Sequence, residues 1–186
     1  MRRFLFGVIF TLVVVGLGGL GYVMLGYVQT AADATPPAWE QSIAMRALDA
    51  SMDRHAPRVT NPVPPTDENL IEGMKVYTMN CALCHGSLNN QPSPLRNKFY
   101  PRVPQLIQEP LDDPEWHIYF AVRTGVRNTG MPAWNGVLTD DQMWKVTAFL
   151  SRLDKLSPGV QDYWKNSFGT APQAHTEEEH HDHSKH

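Results

Sequence analysis

The chain contains only two cysteines, and both belong to the run Cys81-Ala82-Leu83-Cys84-His85. A C-x-x-C-H run is the attachment signature of c-type haem. Two thiols three positions apart at a helix end can reach both vinyl groups of one porphyrin, and the adjacent histidine supplies an imidazole to the iron. A zinc site needs four ligands, and no second cysteine pair exists here. The run therefore predicts one covalently attached haem c, bound through Cys81, Cys84 and His85.

Length and charge restrict what surrounds this run. The chain has 186 residues and a net charge of −3 at pH 7, which leaves room for one modest domain and gives no indication of nucleic-acid binding. Strand and hairpin signals are scarce, so the predicted fold class is mainly α. If both cysteines form thioethers, no disulfide remains, and the haem itself must complete the core of a small domain.

An uncharged segment of 25 residues, Phe4 to Val28, precedes everything else. At about 1.5 Å per residue it can cross a hydrocarbon layer of about 30 Å. Arg2 and Arg3 lie before it and Asp33 lies after it, which predicts a cytoplasmic N-terminus and an extracytoplasmic haem motif. A signal peptide cleaved near 32–34 is the alternative, although its apolar region would be unusually long.

Two segments connect this anchor to the haem motif. Residues 38–54 carry apolar side chains at helical spacing and predict a short amphipathic helix. Residues 55–65 follow. Four of the nine residues 57–65 are prolines, and prolines favour an extended path. This proline-rich segment is interpreted either as a stiff spacer or as a strap packed on the haem domain.

Three helices are predicted around the motif. The first begins at Thr66 or Asp67, where acidic residues favour a helix N-terminus, and runs to about Asn80. The second begins after Asp113-Pro114 and ends near Gly125. The third begins at Leu138-Thr139 and carries an apolar stripe that includes Trp144, Phe149 and Leu150.

From about Thr66 to Leu156 the chain resembles the class I cytochrome c family. In that family a small residue on the first helix permits contact with an aromatic residue on the last helix. Gly73 and Tyr77 with Trp144 match this arrangement. Residues 124–132 also resemble membrane-anchored bacterial monohaem cytochromes, including the haem subunits of respiratory oxidases.

The resemblance also implies the second iron ligand. Gly130-Met131-Pro132 is similar to the distal methionine loop of the family, so Met131 is the expected partner of His85 as metal ligand, with His117 a distant second. A proline-region carbonyl is expected to hold the other nitrogen of His85. The sequence leaves four candidates for that role: Pro92, Pro94, Pro101 and Pro104.

Charged residues outside the motif carry weaker signals. A basic set could pair with haem propionates, form a rim for an acidic redox partner, or simply be solvated: Arg96, Lys98, Arg102, Arg123 and Arg127. From residue 171 onward the composition is acidic and histidine-rich, as in disordered tails. Such a tail could bind copper, zinc or nickel, or could be an incidental solvated extension.

The sequence thus predicts an anchor over 1–30, a juxtamembrane helix and proline-rich linker over 31–65, an all-α cytochrome c domain over 66–157, and an extension over 158–186. A six-coordinate iron favours electron transfer in a bacterial respiratory chain at the periplasmic side of the inner membrane, without enzymatic activity or a small-molecule substrate. One alternative is a permanent haem subunit of a membrane oxidase, reductase or dehydrogenase. Another is a haem-based sensor or peroxidase. Redox proteins or a respiratory complex are the expected partners.

Overall fold

α-Helices provide the regular structure of the computed structural model, which describes residues 1–88 and 92–169. No β-strand occurs in these ranges, and the predicted mainly α fold is confirmed. A short 3-10 helix, Leu153–Lys155, lies between the last two α-helices. The helices are α1 (Arg2–Met24), α2 (Ala38–His55), α3 (Asp67–Asn80), α4 (Ala82–His85), α5 (Glu115–Thr124), α6 (Asp140–Leu150) and α7 (Pro158–Phe168). The chain divides into two compact units, Met1–Pro37 and Ala38–His186.

The unit Met1–Pro37 consists of α1 and the segment that follows it. α1 is 23 residues long with a mean hydropathy of 2.3 in its most apolar window, and none of that window is buried. At about 1.5 Å per residue its length matches a bilayer core of about 30 Å. By length and composition, α1 can therefore cross a membrane.

Local capping explains where three helices of the second unit begin. The Thr66 hydroxyl accepts a hydrogen bond from the Asn69 amide at the start of α3. Thr139 and Gln142 form a reciprocal capping box at the start of α6. The Ser157 hydroxyl caps α7. Each cap satisfies backbone N–H groups that have no partner within the helix, so helix starts can be recognised from sequence.

The α3–α6 crossing forms the centre of the core. A methyl group on Gly73 would lie 2.1 Å from the carbonyl oxygen of Lys145 and 3.1 Å from Cβ of Phe149, so the two backbones touch at this glycine. The Tyr77 and Phe149 rings lie 5.8 Å apart. The core has these buried apolar members: Leu70, Met74, Val76, Tyr77, Leu106, Ile118, Tyr119, Val122, Met143, Trp144, Val146, Ala148, Phe149, Leu150, Leu156, Val160 and Trp164.

The predicted pairing of Gly73 and Tyr77 with Trp144 is wrong in its aromatic partner. Phe149 takes that place, whereas Trp144 stacks on Tyr119 of α5 with ring centroids 3.7 Å apart. At 3.6 residues per turn, positions 144 and 149 point about 140° apart around one helix. Trp144 therefore faces α5, while Phe149 faces α3.

The proline-rich segment packs on the domain as a strap. The Asn61 side-chain amide donates to the carbonyl of Trp144 over 3.3 Å, and Val63 packs against the core. The Arg58 guanidinium lies 5.3 Å from the centroid of the Trp116 ring. Of the two interpretations of this segment, the packed strap is confirmed.

The aromatic segment after Pro158 also returns to the domain. It forms α7, in which Val160 and Trp164 are buried, and α7 contacts α3. The Trp164 ring meets Phe149 edge to face at 5.2 Å. The histidine-rich tail lies outside the described residues.

Candidate functional site

The two cysteines and His85 lie where α3 continues into the short helix α4. The Cys81 amide donates to the Tyr77 carbonyl over 2.8 Å, and the His85 amide donates to the Cys81 carbonyl over 2.9 Å. The chain then turns at Gly86, whose φ of +91° is a conformation that glycine adopts without strain. The buried Tyr77 hydroxyl donates to the Gly86 carbonyl over 2.8 Å. This bond attaches the end of the motif to the core.

The His85 ring is oriented by a single backbone group. Its Nδ1 lies 2.9 Å from the carbonyl oxygen of Pro104. A carbonyl can only accept a hydrogen bond, so in the neutral ring Nδ1 carries the hydrogen and Nε2 keeps its lone pair. Of the four prolines that the sequence left as candidates, the structure selects Pro104. A partner of this kind is what fixes a metal-binding imidazole.

Burial affects the charge of the same ring. It lowers the pKa of His85 below its ordinary value, and the hydrogen bond with Pro104 opposes part of this effect. The imidazole is therefore neutral at neutral pH. The neutral ring is the form that binds a metal.

The part played by the two residues after Pro104 was not predicted from the sequence. Gln105 is almost fully buried, and its side chain donates from Nε2 to the Cys84 carbonyl over 3.1 Å. Its Oε1 accepts from the Ser93 amide over 2.7 Å. The Leu106 amide donates to the His85 carbonyl over 3.1 Å. In the sequence, the amide residue Gln105 between Pro104 and the apolar pair Leu106-Ile107 was the signal from which this role could have been predicted.

Residues 104–106 therefore hold the end of the C-x-x-C-H run at three points. Pro104 contacts the His85 ring, Gln105 contacts the Cys84 backbone, and Leu106 contacts the His85 backbone. Ser93 adds a fourth bond, from its hydroxyl to the Leu83 carbonyl. The loop between the motif and α5 thus orients the motif from outside the helix.

The two thiols are free and partly buried. Burial, with a smaller contribution from the neighbouring Cys84, raises the pKa of the Cys81 thiol to about 12. Cys81 also packs against the core cluster. In residues 1–88 and 92–169, no group of three or more His, Cys, Asp or Glu side chains could hold a metal ion.

Met131 is partly buried and packs against the same core cluster as Cys81. Its carbonyl accepts from the Val126 amide over 3.2 Å, and its amide donates to the Thr129 hydroxyl over 3.0 Å. Gly125, at φ +64°, permits this turn, since a methyl group there would lie 2.7 Å from the Met131 carbonyl oxygen. Gly130 lies against Phe99, where a methyl group would come within 2.3 Å of the ring.

The chain after Met131 is fixed as well. The amide of Trp134 donates to the Val122 carbonyl over 3.2 Å, and the amide of Asn135 donates to the Arg123 carbonyl over 3.1 Å. Both acceptors belong to the last turn of α5. The backbone hydrogen bonds after Met131 therefore hold the methionine loop against α5, and the bonds before it close the loop on itself.

The alternative ligand, His117, is directed to carboxylates. Its Nε2 lies 3.2 Å from Asp53 of α2, and its Nδ1 lies 3.5 Å from Asp113. Each ring nitrogen thus has a carboxylate neighbour. Within the basic set, Arg96 lies 3.5 Å from the Glu109 carboxylate at the surface.

These residues fit a c-type haem. Two free thiols lie one helical turn apart, an imidazole presents Nε2, and a thioether lies on a loop held by hydrogen bonds. Imidazole nitrogen and thioether sulfur are ligands that suit haem iron. Residues 68–150 match the family model described as cytochrome c oxidase, cbb3-type, subunit III. Residues 68–150 therefore form a cytochrome c domain. Haem c is the cofactor that this family implies.

A solved structure is similar to part of this chain. A chain of the reducing HAO-like protein complex from Kuenenia stuttgartiensis is 22% identical to this chain, with a TM-score of 0.43. The alignment covers 52% of this chain and 50% of that chain, about half the length of each. No curated protein is significantly similar in sequence.

Proposed function

We propose that this chain is a membrane-anchored monohaem cytochrome c that transfers single electrons at the periplasmic face of a bacterial inner membrane. Cys81 and Cys84 would form the thioethers with the haem, and His85 and Met131 would bind its iron. The observation that carries the proposal is the contact of 2.9 Å between Nδ1 of His85 and the Pro104 carbonyl, because it leaves Nε2 free beside two unpaired thiols.

The surroundings of Met131 support electron transfer in preference to catalysis. When bound, the haem supplies a one-electron redox centre. A sulfur ligand on a loop fixed at Thr129 and α5 needs little rearrangement when the charge of the centre changes. If His85 and Met131 both bind the iron, they would exclude a substrate from it, so we expect no enzymatic activity.

The sequence around α1 supports the location. Arg2 and Arg3 lie before the apolar helix, and the first charged residues after it are Asp33 and Glu40. Positive residues favour the cytoplasmic side of a bacterial membrane helix. An uncleaved α1 would keep the cytochrome domain at the membrane from which it draws or to which it delivers electrons.

The description of the matched family favours a second candidate, a permanent haem subunit of a membrane complex. The two candidates differ in how the protein behaves after gentle solubilisation. A shuttle migrates alone, since redox docking interfaces bury less than about 1,200 Å². A subunit migrates with partners in fixed stoichiometry.

The ligand assignment is tested with Met131→Ala, and Met79→Ala serves as the matched control because the Met79 side chain is 74% exposed on α3. Loss of the sulfur ligand should abolish the weak absorbance at the red end of the ferric spectrum and lower the reduction potential. The control should change neither. If Met131→Ala keeps both properties, Met131 is not the ligand. If denaturation strips haem from the unaltered protein, the covalent attachment is wrong.

A further inference from the structure

Helix α2 exposes a stripe that combines apolar and basic side chains. Trp39 is 66% exposed and Ile43 is 62% exposed, and they lie four residues apart. Arg46, Ala50 and Arg54 continue the same stripe at spacings of three or four residues, and all three are exposed. Residues at this spacing share one side of a helix. We call these five positions the outer face of α2.

Two of the three acidic side chains of α2 contact the cytochrome domain, whereas the third, Asp49, is exposed. Glu40 accepts a short hydrogen bond from the Tyr100 hydroxyl, and Asp53 lies 3.2 Å from Nε2 of His117. Among the described residues, Arg46 and Arg54 have no carboxylate within ion-pair distance. The helix therefore directs two carboxylates to the cytochrome domain, and its exposed charges are the guanidinium groups of Arg46 and Arg54 and the carboxylate of Asp49, three residues after Arg46.

We propose that the outer face of α2 lies on the surface of a lipid bilayer, the same membrane that α1 crosses. This inference rests on the proposed membrane anchoring. Trp39 and Ile43 would enter the boundary between headgroups and acyl chains, where tryptophan is enriched. Arg46 and Arg54 would pair with lipid phosphates, which guanidinium groups bind in a bidentate manner.

Chain connectivity makes this contact favourable. Only residues 25–37 connect α1 with α2, and thirteen residues span at most about 45 Å when fully extended. Two apolar side chains would bind a membrane only weakly on their own. A short tether converts the second contact into an intramolecular event with an effective concentration in the millimolar range.

The consequence is a fixed orientation for the cytochrome domain. α2 is attached to that domain by the Glu40–Tyr100 hydrogen bond and by the Asp53–His117 contact. A helix held on the lipid surface would therefore present one side of the domain to redox partners in the same membrane. Without that contact the domain would turn freely on its tether.

The test uses the full chain with haem attached, in vesicles of phosphatidylcholine alone or with added phosphatidylglycerol. An environment-sensitive fluorophore is attached to Ile43→Cys or to the matched control Gln41→Cys. Gln41 is exposed but lies about 200° away around the helix from Trp39. The label at 43 should shift to shorter emission wavelength and be quenched by nitroxide-labelled lipid, whereas the label at 41 should be quenched by iodide.

A second variant tests the proposed pairing of the two arginines with lipid phosphates. Arg46→Glu with Arg54→Glu should remove the lipid quenching at 43 in vesicles that contain phosphatidylglycerol. The inference is overturned if iodide quenches both labels equally. If the protein also resists extraction with alkaline carbonate in that case, the membrane anchor itself is still supported. The inference is also overturned if the label at 43 is shielded from lipid and iodide alike, because a protein then covers the face. Extraction by carbonate would contradict the anchor itself.

Discussion

Gln105 donates a hydrogen bond of 3.1 Å from Nε2 to the carbonyl oxygen of Cys84, the residue before the predicted iron ligand. The same side chain accepts from the Ser93 amide and donates to the Val103 carbonyl. Its exposed fraction is 1%, so water cannot replace these partners. A single amide thus connects the C-x-x-C-H run to the loop that carries Pro104.

Replacing Gln105 with methionine should destabilise the holoprotein. The apolar side chain has similar length, but the buried Ser93 amide and two carbonyl groups lose a partner. An unsatisfied buried polar group costs about 1–3 kcal/mol. We expect the free energy of unfolding in guanidinium to fall by at least about 2 kcal/mol. Gln41→Met, at an exposed position of α2, is the control and should change it by less than about 0.5 kcal/mol. Equal effects of the two variants would contradict the bridging role.

The α3–α6 contact predicts the effect of one added methyl group. In Gly73→Ala the new Cβ would lie 2.1 Å from the Lys145 carbonyl oxygen, so the helices must separate. Overpacking of this kind costs about 1–3 kcal/mol, although alanine favours the helix by about 1 kcal/mol relative to glycine. We expect a net loss of stability in guanidinium unfolding.

Gly159→Ala is the matched control for this variant. Gly159 lies in α7, and a methyl group there has no neighbour within 4 Å. The same substitution should therefore leave stability unchanged or raise it by about 0.4–1 kcal/mol. If both alanine variants are stabilised, the close helix crossing is wrong.

Helix positions could be predicted because their signals are local. Thr66, Thr139 and Ser157 each cap a helix start through a hydroxyl within three residues of its partner. The C-x-x-C-H run is a local signal as well. The choice of Phe149 over Trp144 is not, since both are aromatic residues on α6 and only the rotation of that helix decides which one faces α3.

The contacts that hold the site in place could not be predicted from local signals, for the same reason. Four prolines between the motif and residue 106 were candidates, and only the path of residues 92–106 determines that Pro104 meets His85. Gln105 resembles a surface amide until that path buries it. The proline-rich segment was predicted to be extended, but its docking depends on a long-range bond between Asn61 and Trp144.

That bond gives a further prediction. In Asn61→Ala the strap loses the hydrogen bond to the Trp144 carbonyl and the turn bond to the Val63 amide, which is 2.9 Å long. We expect faster hydrogen exchange in residues 57–65 and a loss of stability of about 1 kcal/mol. Thr60→Ala, at the exposed neighbouring position, should leave the exchange of the segment unchanged. Unchanged exchange in Asn61→Ala would show that other contacts hold the strap.

The Glu115 carboxylate predicts how stability depends on pH. Burial alone would raise its pKa, but hydrogen bonds from Arg152, Ser151 and Asn61 outweigh burial and hold the pKa below its ordinary 4.5. A carboxyl group whose pKa is lower in the folded state stabilises the fold above its unfolded pKa, and this stabilisation is lost as pH falls through the folded pKa. Glu115 therefore stabilises the domain at neutral pH and ceases to do so in acid.

Glu115→Gln measures this contribution. The amide can still accept hydrogen bonds, but it loses the charge that strengthens them, so we expect stability at pH 7 to fall by about 1 kcal/mol. The difference in unfolding free energy between the variant and the unaltered protein should disappear as pH falls below 4.5, the ordinary value from which the Glu115 pKa is lowered. Glu109→Gln is the control, because the Glu109 side chain is 67% exposed and its surface pair with Arg96 is worth little. If this free-energy difference for Glu115→Gln stays constant from neutral to acid pH, the charge of the Glu115 carboxylate does not stabilise the fold.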